Sequence, residues 1–303
     1  MIPRELTETL VASAVDSGEY TQFTEAQAPT VPNPKLNAMI VPREHGAWGM
    51  LLIPLATGAV VAPGSAMNYA ALVWFVIASL SLFWMRTPLE AWLGSTAIKA
   101  NSRSQRTAVA CVSLALALLA MVAVFALFRA GRFRGLLPIG CIAAAAFALR
   151  AGVKSMGRVG RMPAQIIGAI GLTSTAAGAY YVSTGHLNHV ALSLWIANWV
   201  FAADQVHFVQ VRIRGSRLVS PAEKARKVYG FLMGQIALVV VLVTCSKNGL
   251  LPRYAVVAFV PALLRGFLWY CSGPTRLDVH RLGFSELVQA LIFGVLLCIV
   301  FLI

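Results

Sequence analysis

The ionisable residues of this chain that could do chemistry stand inside or beside long apolar runs. An ionisable side chain in hydrocarbon is costly, so it needs a partner, a water-filled cavity or a route to the interface. This rule isolates a short list of residues able to transfer a proton or bind a charged group: Glu44, His45, Glu90, Asp204, His207, Arg265 and Glu286. The sequence therefore concentrates its chemistry in a few segments.

The segment Pro42–Met50 places three ionisable residues at the start of an apolar run. Arg43, Glu44 and His45 are followed by two glycines, which permit close helix approach, and by Trp48, which suits a membrane interface. A simple anchor would need the arginine and the tryptophan but not the Glu-His pair. We therefore predict a functional element here, with Glu44 and His45 as catalytic candidates and Arg43 as a substrate-binding candidate.

A later apolar run, residues 188–209, carries a polar face. Asn198, Gln205 and Arg212 recur every seven residues and form one stripe, while Asp204 and His207 are neighbours three residues apart. This face is either the wall of a cavity that binds an anion or passes protons, or the end of a helix that rises into the lipid headgroups. Asn198 is too deep for the second explanation and Arg212 is not.

Arg265 lies several residues inside another apolar run, residues 254–272. Its long stem could carry the guanidinium outward to the interface, which is the common behaviour, or the guanidinium could pair with Asp204 or a ligand. His186 and His189 have a spacing seen in metal sites but lack a third ligand nearby, so no metal site is predicted there.

The elements that must hold these residues are membrane spans. The chain has 303 residues, of which 58% are hydrophobic and only 12% are charged, and its mean hydropathy is +0.74. A helix needs roughly 20 apolar residues to cross a bilayer. Candidate runs lie at residues 45–63, 67–85, 107–128, 135–150, 163–184, 188–209, 228–246, 254–272 and 284–303. Continuous apolar runs do not alternate as barrel strands do, so we predict an all-α polytopic bundle of about nine spans.

The net charge of +14 reflects topology rather than nucleic-acid binding. The connections after the even-numbered spans hold 16 Lys and Arg residues, and those after the odd-numbered spans hold five. Because cytoplasmic loops attract Lys and Arg, the amino terminus should be cytoplasmic and the carboxyl terminus outside. No nucleic-acid partner is expected. The basic loops could also attract anionic lipid headgroups or an anionic substrate, since they lie close to the membrane surface.

The chain divides into a polar tail, residues 1–40, and a transmembrane domain, residues 41–303. The tail is rich in acidic residues and proline and lacks the apolar core of a cleavable signal peptide. Two cytoplasmic gaps, residues 86–106 and 210–227, are longer than the rest, and long loops are often functional.

The opening of the transmembrane domain resembles that of the YwiC-like bacterial membrane proteins. The resemblance rests on Pro42–Trp48 (PREHGAW), followed by Leu51–Pro54 (LLIP) and Gly58, with weaker support from Val211–Arg214 (VRIR) and Arg281–Glu286 (RLGFSE). It covers roughly residues 40–303. It implies an integral protein of the bacterial cytoplasmic (inner) membrane and implies no particular activity.

The nine-span layout also resembles the UbiA-type intramembrane prenyltransferases, whose catalytic loops follow spans two and six. In that superfamily several acidic residues at each loop hold magnesium on a prenyl diphosphate. This chain offers only Glu90 and Asp204 at the matching places, so support for a magnesium cofactor is weak. An anionic headgroup could instead be held without metal by Arg86, Arg212 and Arg214.

Three functions follow from these residues. The first is a membrane enzyme of prenyltransferase type acting on an anionic isoprenoid or lipid, in which Asp204, Glu90 or His45 handles protons in a cavity built from spans one, two, six and eight. The second is a small-solute carrier with a coupling site at Asp204, His207 and Arg265. The third is a non-catalytic factor that binds membrane lipids or assists assembly.

Overall fold

The apolar runs of the sequence form helices in the computed structural model, which describes residues 34–42, 45–94, 100–157, 159–215, 221–272 and 278–303. These described residues contain eleven α-helices and one short 3-10 turn at Gly64–Ala66, and no strand. The helices are α1, Pro34–Ile40; α2, His45–Val61; α3, Tyr69–Trp92; α4, Arg103–Arg129; α5, Phe133–Lys154; α6, Arg161–Thr173; α7, Thr175–Thr184; α8, His189–Gly215; α9, Pro221–Lys247; α10, Ala255–Cys271; and α11, Val279–Leu302. The predicted all-α class is confirmed.

Each predicted span falls on helix, but the fifth is divided at Ser174 into α6 and α7. Three consecutive hydroxyl residues explain the division. The Thr173 Oγ1 donates to the carbonyl of Ala169 at 2.7 Å, and the Ser174 Oγ donates to that of Gly171 at 2.7 Å. Such back-bonding competes with the backbone ladder and bends helices.

Six helical segments are long and apolar enough to cross a membrane: Tyr69–Trp92, Arg103–Arg129, Phe133–Lys154, Arg161–Thr184, Val228–Lys247 and His280–Leu302. Two further apolar helices, Gly46–Val61 and Ala255–Cys271, are shorter than a full span. Helix α8 has 27 residues but is not among the six, because Asn198, Asp204 and Gln205 lower its hydropathy. The count of nine spans therefore stays a prediction.

Residues 38–303 form one compact unit, and its main core lies where α2, α7, α8, α10 and α11 meet. Phe201 of α8 stacks on Phe293 of α11 with ring centroids 3.9 Å apart, and the Phe259 ring of α10 meets Phe293 edge to face. Stacked and edge-to-face rings add to the stabilisation from burial alone. This aromatic contact joins α8, α10 and α11, which also carry Gln205, Arg265 and Glu286.

Close packing of α2 on α7 depends on Gly58. A Cβ at this position would overlap the backbone carbonyl of Ala176, so we expect Gly58→Ala to force the helices apart. Overpacking of this kind costs about 1–3 kcal/mol and should lower the thermal unfolding midpoint of the purified protein. Gly140→Ala is the matched control, because a Cβ there meets nothing within 4 Å. Equal midpoints for the two variants would contradict this packing.

Candidate functional site

Five polar residues from four consecutive helices meet in the interior, and we call them the buried polar cluster. They are Asp204 and Gln205 of α8, Gln235 of α9, Arg265 of α10 and Glu286 of α11. Asp204, Gln205 and Gln235 are each less than a tenth exposed. A buried polar group is costly unless it is hydrogen-bonded, so the bonds within the cluster decide whether these helices can pack.

The carboxylate of Asp204 accepts hydrogen bonds from two side-chain amides. The Gln235 Nε2 donates to Asp204 Oδ1 at 2.6 Å, and the Gln205 Nε2 donates to Asp204 Oδ2 at 3.4 Å. Both donors are neutral. Within the described part of the chain, Asp204 therefore has hydrogen-bond donors but no cation in direct contact.

Arg265 and Glu286 form a two-bond ion pair beside this carboxylate. The Arg265 Nη1 donates to Glu286 Oε1 at 2.7 Å and the Nη2 to Oε2 at 3.2 Å, with side chains 17% and 10% exposed. The same Nη2 donates to Gln205 Oε1 at 2.8 Å. Gln205 thus links the two charged groups, because its amide donates to Asp204 and accepts from Arg265. The result is a continuous polar chain from Asp204 to Glu286.

An aromatic group surrounds the arginine end of the cluster. The rings of Phe208, Phe231 and Trp269 lie 5.7–5.9 Å apart. The Arg265 Cζ lies 4.1 Å from the Phe208 centroid, and the Arg212 Cζ lies 5.6 Å from the Trp269 centroid. Arginine over an aromatic face is favourable, more so when water is excluded. The rings therefore hold both guanidinium groups in place without neutralising them.

Two glycines allow α9 to approach the neighbouring helices. A Cβ on Gly266 would lie 3.2 Å from Gln235 Oε1 and 3.1 Å from the Phe231 ring, and a Cβ on Gly234 would lie 2.7 Å from the His207 ring. The absence of side chains at these positions lets Gln235 reach Asp204. It also places the His207 ring against Phe231, with centroids 5.3 Å apart.

Several predicted site residues come together here, and their partners differ from the prediction. Asp204, Gln205 and Arg265 share one cluster, but the guanidinium of Arg265 pairs with Glu286 and reaches Asp204 only through Gln205. The outward extension of Arg265 that is common for such residues is not observed. The cluster is built from spans six to nine, whereas spans one, two, six and eight were expected to form the cavity.

Other residues of the polar stripe have separate neighbours. Asn198 is buried, and its Nδ2 donates to the Thr57 Oγ1 of α2 at 3.1 Å and to the Leu194 carbonyl at 2.8 Å. This amide therefore joins two helices. Arg212 is half-buried over Trp269, and Arg214 is exposed.

The two residues predicted after span two, Arg86 and Glu90, lie on α3, which is not one of the helices of the buried polar cluster. The Arg86 Nε donates to Glu90 Oε1 at 2.9 Å within α3, one helical turn apart. Helix α3 packs mainly against α4 and α7. A shared site containing both Glu90 and Asp204 is therefore not supported by the helix packing.

The residues predicted at the start of span one are only partly described. Arg43 and Glu44 lie outside the described residues, as does the side chain of His45, whose backbone begins α2. Trp48 packs edge to face on Phe83 with centroids 4.9 Å apart. The tryptophan therefore joins the start of α2 to α3.

Helix α2 runs parallel to α11, and this places its start near the cluster. A Cβ on Gly49 would lie 4.0 Å from side-chain atoms of both Leu287 and Ala290, and a Cβ on Gly294 would touch Ile53 and Thr57. Extending this register back by one turn brings the first residue of α2 level with the turn of α11 that carries Glu286.

Sequence reasoning missed Gln235 and left Glu286 out of the predicted site. The signal for Gln235 was available, because it is an amide in the middle of the apolar run 228–246. Glu286 was recognised as costly to bury, but no pattern within one helix could identify its partner on another.

The described residues offer no group of three or more His, Cys, Asp or Glu side chains that could hold a metal ion. This applies to the two carboxylates considered for magnesium, since Glu90 pairs with Arg86 and Asp204 with two amides. A magnesium site at Glu90 and Asp204 does not fit the described donors.

The apolar helices define the chain as a polytopic helical membrane protein. A family model described as YwiC-like protein matches residues 41–180, so this part of the chain is similar to that family, as the opening motif predicted. The match includes α2 to α7 and ends before α8, so the buried polar cluster lies outside it. No curated protein and no solved structure matches the chain. The UbiA-like layout stays a prediction.

Removing one partner of the Arg265–Glu286 pair should destabilise the protein strongly. Glu286→Gln or Arg265→Gln leaves a buried charge without its counter-ion, at a cost of about 3–5 kcal/mol, while the double variant Arg265→Leu/Glu286→Leu should cost much less than the sum. Thermal unfolding midpoints in detergent measure the effect. Arg281→Gln is the control, because its pairing with Asp278 is exposed. Additive losses in the double variant would show that the two residues do not act as a pair.

Proposed function

We propose that this protein is a carrier for a small solute in a bacterial cytoplasmic membrane, with its amino terminus cytoplasmic. The single observation that carries the proposal is the polar chain from Asp204 through Gln205 and Arg265 to Glu286. It joins helices α8, α10 and α11, while Gln235 adds α9.

The chemistry of this chain suits coupling better than catalysis. Ionisable residues inside a membrane bundle are rare and typically mark ion paths and proton relays. The described cluster contains two carboxylates and one guanidinium, and that guanidinium is already bonded on both terminal nitrogens. The two carboxylates outnumber the one guanidinium, so the net charge of the cluster favours a cation over an anionic headgroup; the buried Arg265 Nε is one donor that has no hydrogen-bond partner among the described residues.

The placement of the cluster at the meeting of several helices also supports a carrier. Transporter sites commonly lie where helices that move relative to each other meet. Here the contacts between α8, α9, α10 and α11 include hydrogen bonds through side chains, which can be exchanged without unfolding a helix. A partner exchange by Arg265 or Gln205 would alter the contacts of several helices at once.

A second candidate is an enzyme or binder that acts on an anionic isoprenoid or lipid headgroup at the cytoplasmic face. Arg212 over Trp269 favours this candidate, with the exposed Arg214 two residues further along α8, since both guanidinium groups lie near the end of the helix. In this function Asp204, Glu90 or His45 would handle protons. A lipid-binding protein without catalysis would use the same arginines.

Solute uptake into sealed proteoliposomes tests the first candidate. We expect at least one member of a labelled panel of amino acids, monosaccharides, nucleosides and short carboxylates to accumulate. Uptake should fall by about tenfold or more in Asp204→Asn, since a hydrogen bond to a charged group contributes about 1.5–3 kcal/mol. Asp278→Asn is the matched control, because this exposed carboxylate caps α11 and asparagine caps equally well. Uptake that is unchanged in Asp204→Asn would contradict the proposal.

Binding of an isoprenyl diphosphate to the protein in nanodiscs tests the second candidate. Saturable binding that is lost in Arg212→Ala, together with no uptake of any panel solute, would contradict the carrier and support the headgroup site. Binding that requires magnesium and is lost in Asp204→Asn would support a transferase. The carrier predicts no binding that depends on both Arg212 and magnesium.

A further inference from the structure

We infer that Asp204 and the side-chain carbonyl of Gln235 form a binding site for a small monovalent cation. The inference rests on the proposed carrier function and names the ligand chemistry of its cluster. It starts from one unsatisfied atom, the Gln235 Oε1. The residue is more than nine-tenths buried, and this oxygen has no hydrogen-bond partner among the described residues.

The position of this oxygen follows from the bond that Gln235 does make. Its Nε2 donates to Asp204 Oδ1 at 2.6 Å, and the same planar amide carries Oε1. The free carbonyl oxygen therefore lies beside the Asp204 carboxylate. Gly266 also borders this oxygen, since a Cβ there would come within 3.2 Å of Oε1. A cation bound between Asp204 and Gln235 would be coordinated by oxygen atoms of the protein only.

A second buried carbonyl oxygen without a partner, Gln289 Oε1, belongs to the next turn of α11 after Glu286. Residues three apart on a helix share a face. Unpaired acceptor oxygens thus occur on two of the helices that build the cluster. Unpaired acceptors require a donor or a cation, since a buried carbonyl without either is costly.

The charges of the cluster set the charge of the ligand. Arg265 is paired with Glu286 through two bonds, whereas Asp204 has only amide donors, so one negative charge lacks a direct counter-ion within the described cluster. A single positive charge balances it. Oxygen ligands suit hard cations, and magnesium would require more carboxylates and near-octahedral order. The site therefore fits Na⁺ or a proton held as hydronium or on Asp204 itself.

Charged and titratable groups on three of the cluster's helices lie around Asp204 among the described residues. His207 and Arg212 lie on the same helix, Arg265 on α10 and Glu286 on α11, while α9 contributes the neutral Gln235. Any effect of pH on the site has to be separated from titration of His207. The variants below leave His207 unchanged, so its contribution is common to all of them.

Thermal unfolding of the purified full chain in detergent tests the site without any solute gradient. NaCl is titrated against N-methylglucamine chloride at constant ionic strength and alkaline pH, and in a second series the pH is lowered in N-methylglucamine alone. A ligand at ten times its Kd favours the folded state about elevenfold, which raises the midpoint. We expect a saturable rise in one of the two series for the wild type.

The rise should vanish in Asp204→Asn and in Gln235→Met, which keeps the length of the side chain but removes both polar atoms. It should be retained in Asp278→Asn and in Gln165→Leu; Asp278 is an exposed carboxylate, and Gln165 is an exposed glutamine of α6 whose Oε1 accepts from Gln210. Gln235→Asn is a second variant in case Gln235→Met does not fold; it moves the carbonyl by one bond and should weaken the response at least severalfold.

The two cations are distinguished by the series that responds. A rise with Na⁺ identifies an alkali-cation site, and a rise with acid alone that needs both Asp204 and Gln235 identifies a proton site. No rise in either series, or a rise that survives in Gln235→Met, would overturn the assignment. Solute uptake that depends on Asp204 together with no rise in either series would leave the carrier standing and remove only the cation site.

Discussion

The structure depends on one constraint: charged groups held away from water must satisfy each other. Arg265 is the centre of this constraint. Its guanidinium pairs with Glu286, donates to Gln205 and lies over the Phe208 ring, so one side chain contacts two neighbouring helices. Because lipid offers no alternative partners, the packing of α8, α10 and α11 and the protonation of their carboxylates are linked.

The family match and the polar cluster lie in different parts of the chain, and α2 connects them. The matched residues 41–180 end before α8, yet α2 packs on α7, α8 and α11. Thr57 of α2 accepts from the buried Asn198 of α8, and the parallel register brings the start of α2 level with Glu286. Helix α2, which carries the end of the opening motif, therefore starts level with the helix that completes the cluster.

The helices could be predicted because bilayer thickness fixes the length of an apolar run, and each predicted span falls on helix. The break at Ser174 could not, since it depends on hydroxyl groups bonding to their own carbonyls. The polar face of α8 was likewise visible from its spacing. Its partners were not, because periodicity assigns a residue to a face of its own helix and carries no information about the neighbouring one. The pairing of Gln235 with Asp204 and of Glu286 with Arg265 is therefore set by tertiary packing.

Infrared difference spectroscopy observes the Asp204 carboxylate itself and shows whether a cation or a proton binds there. Spectra of the purified protein are compared between Na⁺ and N-methylglucamine buffers and between alkaline and acidic pH. We expect a change in the carboxyl region that disappears in Asp204→Asn and persists in Asp278→Asn. An identical carboxyl difference spectrum in wild type and Asp204→Asn would show that this buried carboxylate does not respond to the cation and that Asp204 is not part of a cation site.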